Sequence, residues 1–406
     1  MIIHLFILFF FSVSLTAQVD ITTIREDITT LASDSMQGRL VGSEGEKLAA
    51  NYIEKRFKEI KLSPLPNHSF QQGFSFNYAP PSHSGLVKSD TIKGINVIGF
   101  LDNKAKYTFI IGAHYDHLGH NEYGQSTDSK GNGKIHNGAD DNASGVSAVL
   151  EMARIFSTNE KTEPANFIFA CFSGEELGLI GSKIFAKTIS KEFENTSLMI
   201  NFDMIGRMDS LNTLYISGTG TSPNFESILK KKAPNSFNIK LDSSGIGPSD
   251  HSSFYYQNIP VLFFFTGLHT DYHKPSDDSE KINYSKTAKI ISYSKAIIDT
   301  LLLKPDLTFL PTKLKEKKET PVFKITLGIF PDYIDYGDGL HITDIVEGKT
   351  AEQNGLQRGD VITKIGKTKV TDIYTYMEAL SKLEKNKTYK VVFKRNEVSQ
   401  RIKIKF

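Results

Sequence analysis

The sequence predicts a mixed, mostly parallel α/β sheet flanked by helices, followed by a second, smaller α+β domain. Three observations predict it. Short apolar runs (INVIGFL, YTFIIGA, NFIFACF, SLMINF, TLYIS and IPVLFFF) recur between residues 95 and 265. Strands that read as near-continuous apolar runs are buried on both faces, the habit of parallel sheets. Stretches with apolar residues at helical spacing, among them ASGVSAVLEMARIF and EELGLIGSKIFAKTI, lie between or after several of these runs, and helices alternating with such strands cover both faces of one sheet. Finally, residues 304–320 are rich in Pro, Lys and Glu with little periodicity, which marks a linker between two domains.

The elements follow in order. Residues 1–17, MIIHLFILFFFSVSLTA, carry an apolar core from Leu5 to Phe11 and then small and polar residues. That is the length of a secretory leader and short for a bilayer span. The expectation is a signal peptide cleaved near Ala17, a periplasmic or extracellular protein, and no stable membrane span afterwards. The missing Lys or Arg before the apolar core and the large Leu15 speak for the alternative, an uncleaved anchor. DITTIREDITTLASD and GEKLAANYIEKRFKEI then predict two helices joined by SMQGRLVGSEG, and Tyr284 to Leu303 a closing helix, so that residues 18–303 form the first domain. The loop GQSTDSKGNGK is expected to be mobile. Residues 321–406 return to short β-like runs (GLHITDI, DVITKIG, YKVVFK, QRIKIKF) with one helix, TDIYTYMEALSKL, a viable size for one core.

Of the 406 residues, 39% are hydrophobic and 23% charged, with a net charge of +2. This composition is globular and gives no electrostatic case for nucleic acid. Cys171 is the only cysteine, so no internal disulfide forms. Within FIFACF it reads as a small buried hydrophobe and not as a nucleophile.

Ligands of an open α/β sheet bind outside the carboxyl ends of its strands. There His114, Tyr115 and Asp116 follow YTFIIGA, and Ser173, Gly174, Glu175 and Glu176 follow NFIFACF. Asp203 follows SLMINF, TGLHTDYH follows IPVLFFF, and NGADDNASG places two acids before a helix. One acid after a strand is ordinarily a cap or turn residue. Several acids at one rim repel severely unless a cation neutralises them. Imidazole and carboxylate without thiolate suit Zn²⁺, and less specifically Mn²⁺ or Co²⁺. Neither a Gly-rich phosphate loop nor a nucleophile elbow is present in the sequence.

HYDHLG, GADDNASG, SGEELGLIGS, NFDMIGR, SDHSSF and DYHKPSD, in this order, resemble the motif series of the M28 family of dizinc aminopeptidases over about Asp27 to Leu303. The resemblance implies a zinc-exopeptidase fold and two Zn²⁺ ions. It implies that His114 and Asp203 hold one ion, Glu176 and His273 the other, and that Asp141 bridges them. It further implies that Asp116 orients His114, that Glu175 is the general base, and that Tyr272 hydrogen-bonds the oxyanion, a plain packed tyrosine being the alternative. Asp140 is expected to cap the following helix, His117, His120 and His136 to lie in solvated loops, and Asp250 and His251 to shape the pocket wall. The role of His269 stays open. TLGIFPDY and GLHITDIVEGKTAEQNGLQRGDVITKIGKTKV resemble a PDZ domain of the bacterial periplasmic-protease type over Val322 to Phe406. This implies that Leu327, Gly328, Ile329 and Phe330 receive a peptide C-terminus, with a packing or oligomer-contact role as the alternative.

The function implied is that of an exported metallo-aminopeptidase acting on peptides with a free N-terminus. Glutaminyl cyclase on the same fold is the first alternative. The full two-metal set and a chain without tryptophan stand against it. Carboxypeptidase or dipeptidase specificity is another. A peptide-binding PDZ protein with a non-catalytic metal domain is the alternative of a different class, and it calls for a missing ligand or base.

Overall fold

A computed structural model describes residues 18–78, 90–312, 326–331, 338–345, 348–371 and 373–406. The leader expected at 1–17 lies outside the described residues. Helix α1 (Ile21–Leu31) starts where the Asp20 carboxylate accepts from Thr22 N–H, and α2 (Glu44–Glu59) where the Ser43 hydroxyl accepts from Glu46 N–H. The Glu46 carboxylate accepts in turn from Gly42 N–H at 2.8 Å and Ile95 N–H at 2.9 Å. It thereby ties the helix start to the sheet.

Strands β1 (Gln71–Tyr78), β2 (Asp90–Leu101), β3 (Tyr107–His114), β4 (Ala165–Phe172), β5 (Thr196–Phe202), β6 (Thr213–Ser217), β7 (Asn238–Leu241) and β8 (Val261–Phe265) form one sheet. Its order is β1-β2-β4-β3-β5-β8-β6-β7. The centre, β4-β3-β5-β8, is parallel. Antiparallel pairings are confined to β1–β2, β2–β4 and β6–β8. Helices α3 (Gly145–Thr158), α4 (Ile180–Glu192), α5 (Phe225–Lys232), α6 (His251–Tyr255) and α7 (Tyr284–Leu301) complete the domain. Side chains alternate across a strand. Phe167, Phe169 and Cys171 therefore join α1, α2, α3, α5 and α7 in one core, while Ile168, Ala170 and Phe172 join α4 and α6 in the other.

All six apolar runs are strands. Sequence reading missed β1 and β7, which are the two edges and only partly buried, so neither carries a continuous apolar run. Two expectations need correction. The helix expected from Glu175 begins only at Ile180, because Gly174, Gly178 and Leu179 have φ of 71°, 110° and 61° and hold the chain in a loop. Nor is the start of the expected 304–320 linker free. Leu307 packs on the first core and Phe309 on the second, while Leu310 N–H donates to Thr221 O at 2.8 Å and Thr312 N–H to Tyr255 Oη at 2.9 Å.

The C-terminal domain comprises β9 (Ile329–Pro331), β10 (Leu340–Ile345), α8 (Thr350–Gln353), β11 (Val361–Ile365), β12 (Thr368–Lys369), α9 (Ile373–Ser381), β13 (Thr388–Arg395) and β14 (Val398–Lys405). Its antiparallel sheet runs β14-β13-β11-β10-β9, with β12 beside β11. Leu340, Ile342, Ile362, Val391 and Phe393 build a separate core. Among the described residues no helix is long and apolar enough to cross a membrane.

Candidate active site

The carboxyl ends of β3, β4 and β5 converge on one cluster. His114 closes β3 and Asp203 follows β5; His114 Nε2 faces Asp203 Oδ1 at 3.3 Å, Asp141 Oδ1 at 3.4 Å and Glu175 Oε2 at 4.0 Å. His273, from the loop after β8, faces Asp141 Oδ2 and Glu176 Oε2, each at 3.2 Å. Asp141 spans both imidazoles. Neighbouring donors on one tetrahedral ion with bonds near 2.0 Å lie roughly 3.3 Å apart, so this buried imidazole–carboxylate set has the spacing that Zn²⁺ requires.

Each ligand candidate is held from behind. The other nitrogens of the two rings, Nδ1 of His114 and of His273, face the backbone oxygens of Asp116 at 3.1 Å and Gln125 at 3.3 Å. Carbonyls only accept, so each Nδ1 carries a proton and each Nε2 is turned to the acids. The Asp116 carboxylate is farther from His114, at 3.7 Å, and accepts instead from Glu175 N–H at 3.2 Å and Glu176 N–H at 3.4 Å. Asp116 therefore orients His114 through its carbonyl and fixes the glutamate loop through its side chain.

That loop separates the adjacent acids. Burial, Glu176, Asp250 and Asp203 hold the Glu175 carboxyl well above the carboxylate range against the pull of His114. Burial acts to raise Glu176 as well, but His273 and His117 hold it at about 2. Burial likewise disfavours charge on His114 and His273, yet the surrounding carboxylates raise both imidazoles well above their ordinary pKa. Protons here take the place that a cation would otherwise fill. Burial pushes Asp116 up to about 8.

Several residues depart from the sequence reading. His117, expected in a solvated loop, is fully buried with Nδ1 2.8 Å from Glu176 Oε1 and 3.8 Å from Asp141 Oδ2. Asp140 does not cap α3. Its Oδ1 accepts from Gly206 N–H at 2.6 Å and from Ser144 Oγ–H, and its Oδ2 lies 3.1 Å from His269 Nε2, which gives His269 a partner inside the protein. His136 is buried against Ser126 Oγ at 2.7 Å, whereas His120 lies at the surface near Gly133 O. The loop expected to be mobile is tied to the His273 loop: Thr127 N–H donates to His273 O at 2.9 Å and Thr127 Oγ–H to Tyr272 O at 2.7 Å. Asp250 and His251 are buried, and His251 stacks on Phe263 at 4.4 Å, backing the pocket wall. Tyr272 lines the cavity and stacks on His273 at 3.9 Å.

Two supporting residues escaped sequence reading. The Arg39 guanidinium is fully buried and donates to Leu31 O, Tyr115 O, Asn137 O and Gly138 O at 2.5 to 2.9 Å. It pins the chain where it leaves β3 just after His114 and the loop that leads into Asp141. Asp277 Oδ2 accepts from Asp140 N–H at 2.9 Å and Asp141 N–H at 3.1 Å. The available signal was Arg39 within SMQGRLVGSEG and Asp277 within DYHKPSD, charges that local patterning reads as loop polarity.

The cluster opens into a cavity of about 300 Å³, lined also by Gln125, Leu179, Met204, Tyr215, Phe263 and Phe265. In the C-terminal domain Leu327 is buried and its carbonyl accepts from Ala351 N–H at 2.7 Å, Gly328 has φ 73°, and Ile329 and Phe330 open β9.

An α/β sheet bearing a buried imidazole–carboxylate centre at its carboxyl rim, beside a cavity, defines a metal-dependent hydrolase class. The sequence profile of peptidase family M28 matches residues 96–298, and that of the PDZ domain residues 315–406. The chain belongs to peptidase family M28 and carries a C-terminal PDZ domain. A probable leucine aminopeptidase of Arthroderma benhamiae is 27% identical over 267 residues, 60% of this chain and 71% of that protein. Aminopeptidase YwaD of Bacillus subtilis is 31% identical over 157 residues, 36% of this chain and 34% of that one. Among solved structures, the aminopeptidase from Aneurinibacillus sp. strain AM-1 superposes with a TM-score of 0.56 at 19% identity, over 75% of this chain and 98% of that one. A Bacteroides thetaiotaomicron glutaminyl cyclase bound to N-acetylhistamine gives 0.55 at 17% identity, over 69% and 98%. At these identities the two structures share the fold.

Proposed function

We propose that this chain is an exported zinc aminopeptidase that removes the N-terminal residue of peptides. The observation that carries the reading is the pair of imidazoles, His114 and His273, each 3.2–3.4 Å from a different oxygen of Asp141 and from one further carboxylate. In this proposal His114 and Asp203 hold one Zn²⁺, Glu176 and His273 a second, and Asp141 both. Zinc there supplies a water acidified toward neutrality and a polarised scissile carbonyl. Glu175, beside His114, takes the proton from the attacking water on its carboxylate and returns it to the leaving amine. A carboxylate placed at the attacking water can make both transfers, first as base and then as acid. Tyr272, on the cavity wall, donates its hydroxyl to the oxyanion. The cavity beyond the cluster receives the first side chain of the peptide, and the stretch Leu327, Gly328, Ile329 and Phe330, which leads into β9, receives a peptide C-terminus.

The names of the relatives agree with this reading, and the glutaminyl cyclase shares the fold alone. The test is zinc content together with hydrolysis of aminoacyl p-nitroanilides and their N-acetylated counterparts. Chelator-sensitive cleavage restricted to free-amine substrates is expected. Glu175→Gln should keep its zinc and lose roughly 10²–10⁴-fold in kcat. Cleavage of blocked substrates at equal rate, or full activity of the Glu175 variant, removes the reading.

A further inference from the structure

The C-terminal sheet turns one face to its core. Ile365 of β11, Val391 and Phe393 of β13 and Ile404 of β14 are buried there, with Val370 just after β12 and Ile402 packed against them. Successive side chains alternate across a strand, so the neighbours of these residues point outward, and the strand register sets them in rows. In one row Lys369 of β12 lies opposite Lys364 of β11, which pairs with Val392 of β13, itself opposite Arg401 of β14. The next row sets Lys390 opposite Lys403, and the one after it Thr388 opposite Lys405. All six cations are exposed. Among the described residues none of them makes an ion pair, whereas Lys394, toward the β13–β14 turn, has Asp338 and Glu397 at 3.8 and 3.9 Å.

Like charges directly opposite each other destabilise a sheet, and this face holds two such pairs, Lys364 with Lys369 and Lys390 with Lys403. The fold gains nothing from them. The whole chain has a net charge of only +2, so the array is a local concentration of charge and not a share of a general excess. At about 4.8 Å between strands and about 3.3 Å per residue along them, it spreads over roughly 14 by 13 Å. Five of the six are lysines, compact charges that attract phosphate from any direction, without the fork by which Arg reads one fixed geometry. No aromatic residue points outward in these rows. The face therefore lacks the rings on which single-stranded bases stack and the aromatic anchors of a protein interface, where Lys is depleted. A surface array of phosphates is what it matches, and each Lys or Arg close to an anionic bilayer strengthens attachment about fivefold.

We propose that this face of the C-terminal domain docks on a bilayer of anionic phospholipids and holds the protein at a membrane surface without a spanning segment. The inference stands apart from the aminopeptidase reading and needs none of its residues. It is tested by sedimentation with vesicles of phosphatidylcholine alone and of phosphatidylcholine mixed with phosphatidylglycerol. The protein used lacks residues 1–17, whose apolar run would itself enter lipid. Binding to the mixed vesicles alone, reversed at high salt, is expected. Lys390→Gln, Lys403→Gln and Lys405→Gln together should weaken it about 100-fold, while Lys187→Gln, Lys191→Gln and Lys231→Gln, an equal charge change on exposed lysines of the first domain, should cost less than about threefold. The corresponding triple Arg variant of 390, 403 and 405 should bind as the wild type does, which separates charge from folding. No binding to the mixed vesicles, equal binding to both kinds, or an equal loss in the two Gln variants overturns the proposal. Binding of poly-L-glutamate or duplex DNA in place of the mixed vesicles overturns the bilayer as the partner.

Discussion

Glu175 and Glu176 are chemically identical neighbours that the fold drives in opposite directions: one faces other carboxylates without a hydrogen-bonded imidazole, the other is wedged between His117 and His273. His117 shows how a single residue can be misjudged from its loop. Its Nε2 is buried without a partner, while Nδ1 lies 2.8 Å from Glu176 Oε1. A metal-bound imidazole ordinarily donates its other N–H to an acceptor. With none at Nε2, the proton belongs on Nδ1, and His117 donates to Glu176 and orients it. His117→Ala should weaken zinc retention about 10–100-fold in chelator competition, with partial rescue by His117→Gln, which keeps a donor. His251 supplies a pH prediction. Burial lowers its pKa from 6.5 to about 3, and neither nitrogen has a hydrogen-bond partner. The unfolded chain therefore takes up a proton near pH 6.5 that the fold refuses until near 3. Its contribution to stability is complete above 6.5 and declines by about 1.4 kcal/mol per pH unit as pH falls through that window. Urea midpoints of His251→Phe should fall less steeply between pH 6.5 and 4 than those of the wild type.

At the scale of elements, the strand ends supply the donors and the loops behind them set their directions. Gly138 has φ 54°, and a Cβ there would come 2.1 Å from Asp141 O and 2.6 Å from the His117 ring. Gly138→Ala should therefore cost about 1–3 kcal/mol through backbone strain and disturb Asp141 and His117 together. Differential scanning calorimetry with and without zinc measures both effects; an unchanged melting temperature and zinc stabilisation would show that the loop tolerates the change. The strand ends were legible in sequence because the apolar run and the polar residue after it are contiguous. The roles of Asp140, Asp277 and Arg39 were not, because their partners lie 66, 137 and up to 99 residues away.

For the whole molecule, the two domains have separate cores, and the start of the segment between them belongs to the first. Leu307, Phe309, Leu310 and Thr312 dock on the catalytic domain. A chain ending at residue 312 should keep hydrolysis of small aminoacyl amides. A chain ending at 303 should melt several degrees lower, since it uncovers apolar surface and leaves Thr221 O and Tyr255 Oη without these partners. Equal melting temperatures for the two would show the docked stretch to be thermodynamically idle.

By itself the sequence determined the α/β class, the six inner strands, the division into two domains and the rim residues His114, Asp141, Glu175, Glu176, Asp203 and His273. Apolar periodicity and the residue that follows each strand are local properties, written within a few positions. Only the tertiary structure decided which histidine serves Glu176 from behind, that Asp140 turns to His269, and that a buried Arg39 clamps the chain on either side of the site. Each of these depends on strands and loops distant in the chain being packed side by side, where burial and a neighbouring charge, and not the residue type, set what a side chain does.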